Sequence, residues 1–257
     1  HLLDAFRAQE TAKYVAARPR CRAALDAGAA PWLNGVPMHW MRDWPSPFPL
    51  VVKKAKGARL TDLDGNRLDD FCLGDTGSMF GHAPPAVARA IRRQANRGLT
   101  YMLPSKAALR AGALMSAHFG DFIWQMTLSA TDANRNALRV ARAITGKRKV
   151  LVFNGCYHGT LEDTMVELSA GQTVARAGLV GQGFDLTKGA VCVEFNDLEG
   201  VADALAQGDV AAILTEPVMT NSCMVLPQPG FLDGLRALAD AHGTLLIIDE
   251  THTQSSG

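Results

Sequence analysis

The sequence predicts an α/β fold: a mostly parallel sheet flanked by helices, preceded by an N-terminal segment of helix and hairpin. Two observations carry this. The short apolar runs Val150–Phe153, Ala190–Phe195, Ala211–Leu214 and Leu245–Ile248 are partly β-branched and show little polar alternation, as strands buried on both faces do. Between them lie stretches of helical periodicity. Leu198, Val201, Ala202 and Leu205 follow Asn196-Asp197, while Leu232, Leu235, Leu238 and Ala239 precede Gly243. Strand–helix–strand repetition at these lengths predicts a parallel sheet.

The elements follow in order. The chain to about Ala30 reads as helix broken at Pro19, because proline lacks the N–H that a helix interior needs. From Pro31 to Pro49, Trp32, Trp40, Trp44 and Phe48 are interleaved with prolines and glycine; this segment is irregular, yet aromatic enough to pack against something. Short strands are expected from Leu50 to Phe71, with Asp64-Gly65 as a hairpin turn between Leu60–Leu63 and Arg67–Phe71. Val87, Ala90, Ile91 and Ala95 share a helical face that Gly98 ends, and another helix follows Pro104-Ser105. Ile123–Leu128 reads as a strand. Ala133, Ala137, Val140, Ala141 and Ile144 then form a helical stripe that stops at Gly146. The expected organisation is residues 1–104 as an N-terminal segment and residues 105–257 as an α/β domain.

Composition narrows the class. Of 257 residues, 47% are hydrophobic and 20% charged, which supplies a core and excludes general disorder. Lys and Arg number 26 against 25 Asp and Glu, so the net charge of +1 gives no electrostatic case for nucleic acid or an acidic membrane. The five cysteines are scattered and form no C-x-x-C pair, which argues against a disulfide framework or a zinc ribbon. No apolar run approaches the roughly 18 residues of a membrane span, and no signal-peptide core is visible. The expectation is a cytoplasmic protein.

Ligands of open parallel sheets bind beyond the carboxyl ends of the strands. There the sequence places Asn154-Gly155-Cys156-Tyr157-His158-Gly159, then Thr215-Glu216-Pro217, then Asp249-Glu250-Thr251-His252. Ser129-Ala130-Thr131-Asp132 opens a helix at the same edge, and a helix N-terminus suits phosphate. Ser129 or Thr131 could equally serve only as a helix cap, and Asp249 only as a salt-bridged carboxylate. His158 and His252 lack ligand partners at metal-binding spacing, so no metal is expected. The chain has no G-x-G-x-x-G, no Walker A sequence and no G-x-S-x-G elbow, which weakens dehydrogenase, NTPase and hydrolase readings.

Taken together, the Asp64-Gly65 hairpin, Met79-Phe80-Gly81-His82, Ser129-Ala130-Thr131-Asp132-Ala133-Asn134, Gly155-Cys156-Tyr157-His158-Gly159, Glu216-Pro217 and Ile247-Ile248-Asp249-Glu250 resemble the class III pyridoxal-phosphate aminotransferases. The similarity is strongest to the branch that contains glutamate-1-semialdehyde 2,1-aminomutase and runs from about Phe48 to Glu250. It implies the fold-type I transferase architecture and pyridoxal 5'-phosphate as cofactor, with residues 105–257 as the first part of the large cofactor-binding domain. It assigns Ser129, Ala130 and Thr131 to the cofactor phosphate, Tyr157 to the pyridine face, Asp249 to the pyridine nitrogen and Asn221 to the phenolic oxygen. His158, Glu216 and Thr251 are implied at the cofactor as well, with Asp249 and Tyr157 as the catalytic pair. In this family the loop holding Trp40 and Arg42 reaches toward the substrate, where Arg42 could clamp a carboxylate; a surface arginine is the plain alternative.

The resemblance further implies a homodimer and small-molecule partners, an amino donor and a keto acid. The expected reaction is transamination. An intramolecular aminomutase of the same family and a non-catalytic phosphate-binding module are the alternatives. Three departures stand out. Ser-Ala-Thr-Asp replaces the family's Ser-Gly-Thr-Glu, Thr251 replaces the usual valine, and Thr253-Gln254-Ser255-Ser256 replaces Thr-Gly-Phe-Arg. No lysine stands at the family's cofactor-anchoring position, which is expected on a later strand, beyond Gly257.

Overall fold

A computed structural model describes residues 2–28 and 30–255. The chain forms two compact units, His1–Ala111 and Gly112–Gly257.

In the first unit, helices α1 (Leu2–Ala16) and α2 (Pro19–Gly28) meet at the expected break, with Pro19 opening α2, where a missing N–H costs nothing. Strands β1 (Val52–Lys56), β2 (Arg59–Asp62) and β3 (Arg67–Asp69) form an antiparallel sheet in that order. The turn residue Asp64 has a second task. Its two carboxylate oxygens accept the amides of Arg20 and Cys21 at 2.8 and 2.9 Å, which ties the start of α2 to the hairpin. Helix α3 (Pro85–Ala95) follows, and α4 (Lys106–Phe119) spans the unit boundary. In the aromatic segment, Tyr14 Oη donates to the Phe48 carbonyl at 2.8 Å, whereas Trp32, Trp40 and Trp44 remain about half exposed.

The second unit carries the predicted parallel sheet. Helix α5 (Ala130–Thr145) is capped by Ser129 and ends on Gly146, whose φ of 68° suits glycine. Strands β4 (Lys149–Phe153), β7 (Ala190–Val193), β8 (Val210–Thr215) and β9 (Leu245–Ile248) pair all-parallel in the order β7-β4-β8-β9. Helices α6 (Leu198–Ala206) and α7 (Phe231–Ala241) are the crossovers. Between β4 and β7 lies a hairpin of β5 (Val166–Ser169) and β6 (Gln172–Ala175), which the sequence pattern did not announce.

Residues 123–128 correct an expectation. They form no strand, because among the described residues none offers them a backbone ladder, and Ile123 and Leu128 are fully exposed. Apolar composition favours a strand only where a neighbour pairs with it. The strand expected over Ala190–Phe195 also ends two residues early, at Val193.

The core lies between the sheet and its helices. Leu151, Val152, Ile213, Leu214, Leu205 and Leu235 are buried, and Phe153, Phe195 and Phe231 pack edge to face with centroids 4.7–5.6 Å apart. Each buried aliphatic side chain contributes roughly 1.5–3 kcal/mol. Leu235→Ala should therefore destabilise the protein by about 2–5 kcal/mol in denaturant titrations. The neighbouring Arg236→Ala, which breaks only an exposed pair with Asp240, should change stability by about 0.5 kcal/mol or less.

Candidate active site

One carboxylate gathers the carboxyl edge of the sheet. The amide of Asp249 donates to the Thr215 carbonyl at 2.8 Å, which extends the pairing of β9 with β8 by one residue and sets the side chain at the sheet edge. Oδ2 accepts His158 Nδ1 at 2.9 Å and Asn134 Nδ2 at 2.8 Å. Oδ1 accepts the Thr251 amide at 3.0 Å and the Thr251 hydroxyl at 2.6 Å. The loop after β4, helix α5 and the turn after β9 thus converge on a single buried group.

Both ionised forms are favoured. Burial opposes charge on Asp249, but the hydrogen bonds from His158, Thr251 and Asn134 outweigh it and hold the carboxyl far below the usual range. Burial also opposes charge on His158, yet the bonds to Asp249 and Cys156 raise it from 6.5 to about 9. The two shifts describe one ion pair.

The loop over residues 154–159 is held close. Gly159 has a φ of 83°, and a Cβ there would lie 2.0 Å from Thr131 Oγ1, so only glycine lets this loop lie against the start of α5. The Thr160 amide donates to that same Thr131 oxygen at 3.1 Å. Gly155, with a φ of 81°, approaches Ser222, whose hydroxyl donates to the Gly155 carbonyl at 2.9 Å. His158 is buried; Tyr157, beside it, is 46% exposed, leaving its ring available.

Ser129 Oγ accepts the Asp132 amide at 3.1 Å and donates to Asp132 Oδ2, so the capping reading of Ser129 is realised. Ala130 and Thr131 occupy the first turn, where helix geometry leaves amides without an intrahelical acceptor. Ala130 is not among the residues of positive φ, so it needs no glycine conformation. Glu216 is buried; Oε2 accepts the Thr220 amide and hydroxyl, whereas Oε1 has no partner among the described residues. Asn221 lies exposed on the following loop. Ser129, Ala130, Asn134, Asp249 and Thr251 line a cavity of about 460 Å³ that Phe119 and Trp124 wall on another side. That volume suits a small molecule.

Trp40 and Arg42 belong to the first unit, in a short 3-10 turn over His39–Arg42. Arg42 Nη1 donates to the Asn34 carbonyl at 2.6 Å. In the second unit Lys147 and Lys188 precede their strands and Lys149 opens β4, so all three lie at the amino end of the sheet. The sequence reading gave Asn134 no role, although a signal existed. Asn134, Leu138 and Ala141 form the buried stripe of α5, and a polar residue on such a stripe needs a partner.

Residues 41–256 match the family model described as aminotransferase class-III. The chain belongs to the class III aminotransferases. It is 40% identical over 209 residues to a glutamate-1-semialdehyde 2,1-aminomutase of Lawsonia intracellularis, covering 80% of this chain and 49% of that protein. A crystal structure of a glutamate-1-semialdehyde-aminomutase from Pseudomonas aeruginosa PAO1 superposes with a TM-score of 0.94 at 50% identity, covering 97% of this chain and 55% of that one. A lysine-to-alanine variant of that enzyme in complex with PMP gives 0.95 at 50% identity, with 99% and 56% covered. The chain therefore spans about half the length of the relatives it matches, and its architecture is that of the fold-type I enzymes.

The ion pair makes stability depend on pH. The raised His158 contributes fully below about pH 6.5 and loses its contribution as pH rises through about 9. The lowered Asp249 contributes fully above its ordinary value of 3.8 and loses its contribution as pH falls below that. His158→Gln keeps a donor but no charge. Its unfolding free energy, followed against pH, should fall furthest below wild type between about pH 4 and 6.5, by about 1.5–3 kcal/mol. The gap should close toward pH 10.

Proposed function

We propose that the whole protein is a pyridoxal-phosphate enzyme that moves an amino group within one small substrate, as the aminomutases it resembles do. The observation that carries this is the buried, charged Asp249 at the sheet edge, beside the open helix N-terminus of α5. The residues fit the cofactor. The first-turn amides of Ala130 and Thr131 would hold its phosphate, with charge-assisted bonds of roughly 1.5–3 kcal/mol each. The Tyr157 ring would cover one face of the pyridine, Asp249 would take the ring nitrogen, and Asn221 the phenolic oxygen. Glycine at position 159 lets the loop that carries Tyr157 lie against the start of α5, and Glu216 Oε1 is a buried acceptor without a partner among the described residues.

When bound, the cofactor supplies an electron sink for a substrate Cα that loses its proton. The chain's part is electrostatic. Asp249 keeps a proton on the ring nitrogen because His158 and Asn134 keep Asp249 ionised and oriented. Burial of His158 shields that charge from water, and the tight loop over residues 154–159 fixes the aromatic ring.

Intramolecular transfer is favoured over transamination to an external keto acid by relatives of 40–50% identity that are named aminomutases. Transamination is the second reading. It draws on a β-phenylalanine aminotransferase from Variovorax paradoxus with a TM-score of 0.81 at 28% identity. A homodimer belongs to this proposal, supported by exposed apolar side chains such as Phe71, Phe80 and Met102.

The full-length protein should purify with a cofactor chromophore and turn over a vicinal amino-aldehyde such as glutamate-1-semialdehyde without added keto acid. Strict dependence on a keto acceptor would establish the second reading instead. Asp249→Asn should keep the fold and lose at least about 100-fold in turnover at saturating cofactor. Wild-type turnover in that variant would refute the assignment.

A further inference from the structure

Every acceptor position of Asp249 is taken. An ionised carboxylate offers about four lone-pair sites. Oδ2 holds His158 and Asn134, and Oδ1 holds the Thr251 amide and the Thr251 hydroxyl. A ring N–H arriving at this carboxylate must displace one of these donors or share its site. His158 and Asn134 are buried and locked; Asn134 also donates to the His158 carbonyl at 3.3 Å. The Thr251 amide is backbone and fixed by the turn. Only the Thr251 hydroxyl turns on a single bond, and its side chain is exposed on the wall of the cavity, where water can accept its hydrogen.

We propose that Thr251 is a displaceable positioning residue. Its hydroxyl donates to Asp249 Oδ1 and competes for that acceptor site with the cofactor's ring nitrogen. The inference rests on the pyridoxal-phosphate reading above and deepens it. A valine at this place would fill similar space and leave Oδ1 with one free acceptor site. The threonine therefore lowers cofactor affinity, in exchange for a further donor that orients the carboxylate.

The prediction has a counter-intuitive sign: removing the hydroxyl should tighten binding. The probe is pyridoxamine phosphate, whose amine forms no bond to a lysine and so reports the non-covalent site alone. Its Kd is measured by equilibrium dialysis on full-length apoprotein. Thr251→Val should bind about tenfold more tightly than wild type, since exchange of one hydrogen bond to a charged group is of that order. Thr251→Ala should bind more tightly than Thr251→Ser by a similar factor. The Ala and Ser variants both lack the γ-methyl, so this second comparison isolates the hydroxyl and decides the matter if the valine variant does not fold. Thr251→Val binding equal to or weaker than wild type, or Ala and Ser binding alike, overturns the proposal. Asp249→Asn separates the two levels. If wild type binds the probe and Asp249→Asn weakens binding while the Thr251 series is flat, only the role of Thr251 falls. If wild type fails to bind, or Asp249→Asn binds equally well, the cofactor reading falls and this inference with it.

Discussion

A buried carboxylate cannot remain ionised without donors, and meeting that demand organises the site of this chain. Asp249 takes hydrogen bonds from a helix, from a loop after a central strand and from its own turn. Desolvation alone would push a proton onto it. Four donated hydrogens reverse that balance, and the same hydrogens position His158, Asn134 and Thr251. The ionisation state and the geometry are therefore one arrangement, and removing His158 or Asn134 disturbs both.

The sheet makes the arrangement possible. Parallel order β7-β4-β8-β9 brings the ends of β4, β8 and β9 to one edge, and the loops that follow them carry Tyr157 and His158, Glu216, and Asp249. Apolar strands buried beneath hold this edge rigid; Leu151, Ile213 and Leu214 are fully covered. Close approach of the loops then depends on two glycines. At Gly155 and Gly159 the backbone is left-handed and a Cβ would collide with Ser222 or Thr131.

The sheet and its crossovers were legible in the sequence because strand burial on both faces writes itself as apolar runs, and helices as periodic stripes. The loop residues of the site were legible by position, since each follows such a run. The web among them was not. Asp249 and His158 lie 91 residues apart, and Asp249 and Asn134 lie 115 apart, so no local pattern records the pairing. The segment over residues 123–128 misled for the same reason: apolar composition is local, whereas strand pairing is not. The hairpin of β5 and β6 went unseen because Ala170-Gly171 supplies its turn without the usual Asn-Gly or Asp-Gly signal.

The central role proposed for Asp249 is to hold a proton on the nitrogen of a bound pyridine ring. Nitrogen NMR of full-length protein loaded with ring-15N pyridoxamine phosphate reads that protonation state without any turnover. At neutral pH the wild type should show a protonated ring nitrogen, and Asp249→Asn, with the same fold and cofactor bound, an unprotonated one. Identical ring-nitrogen shifts in the two proteins would contradict the account.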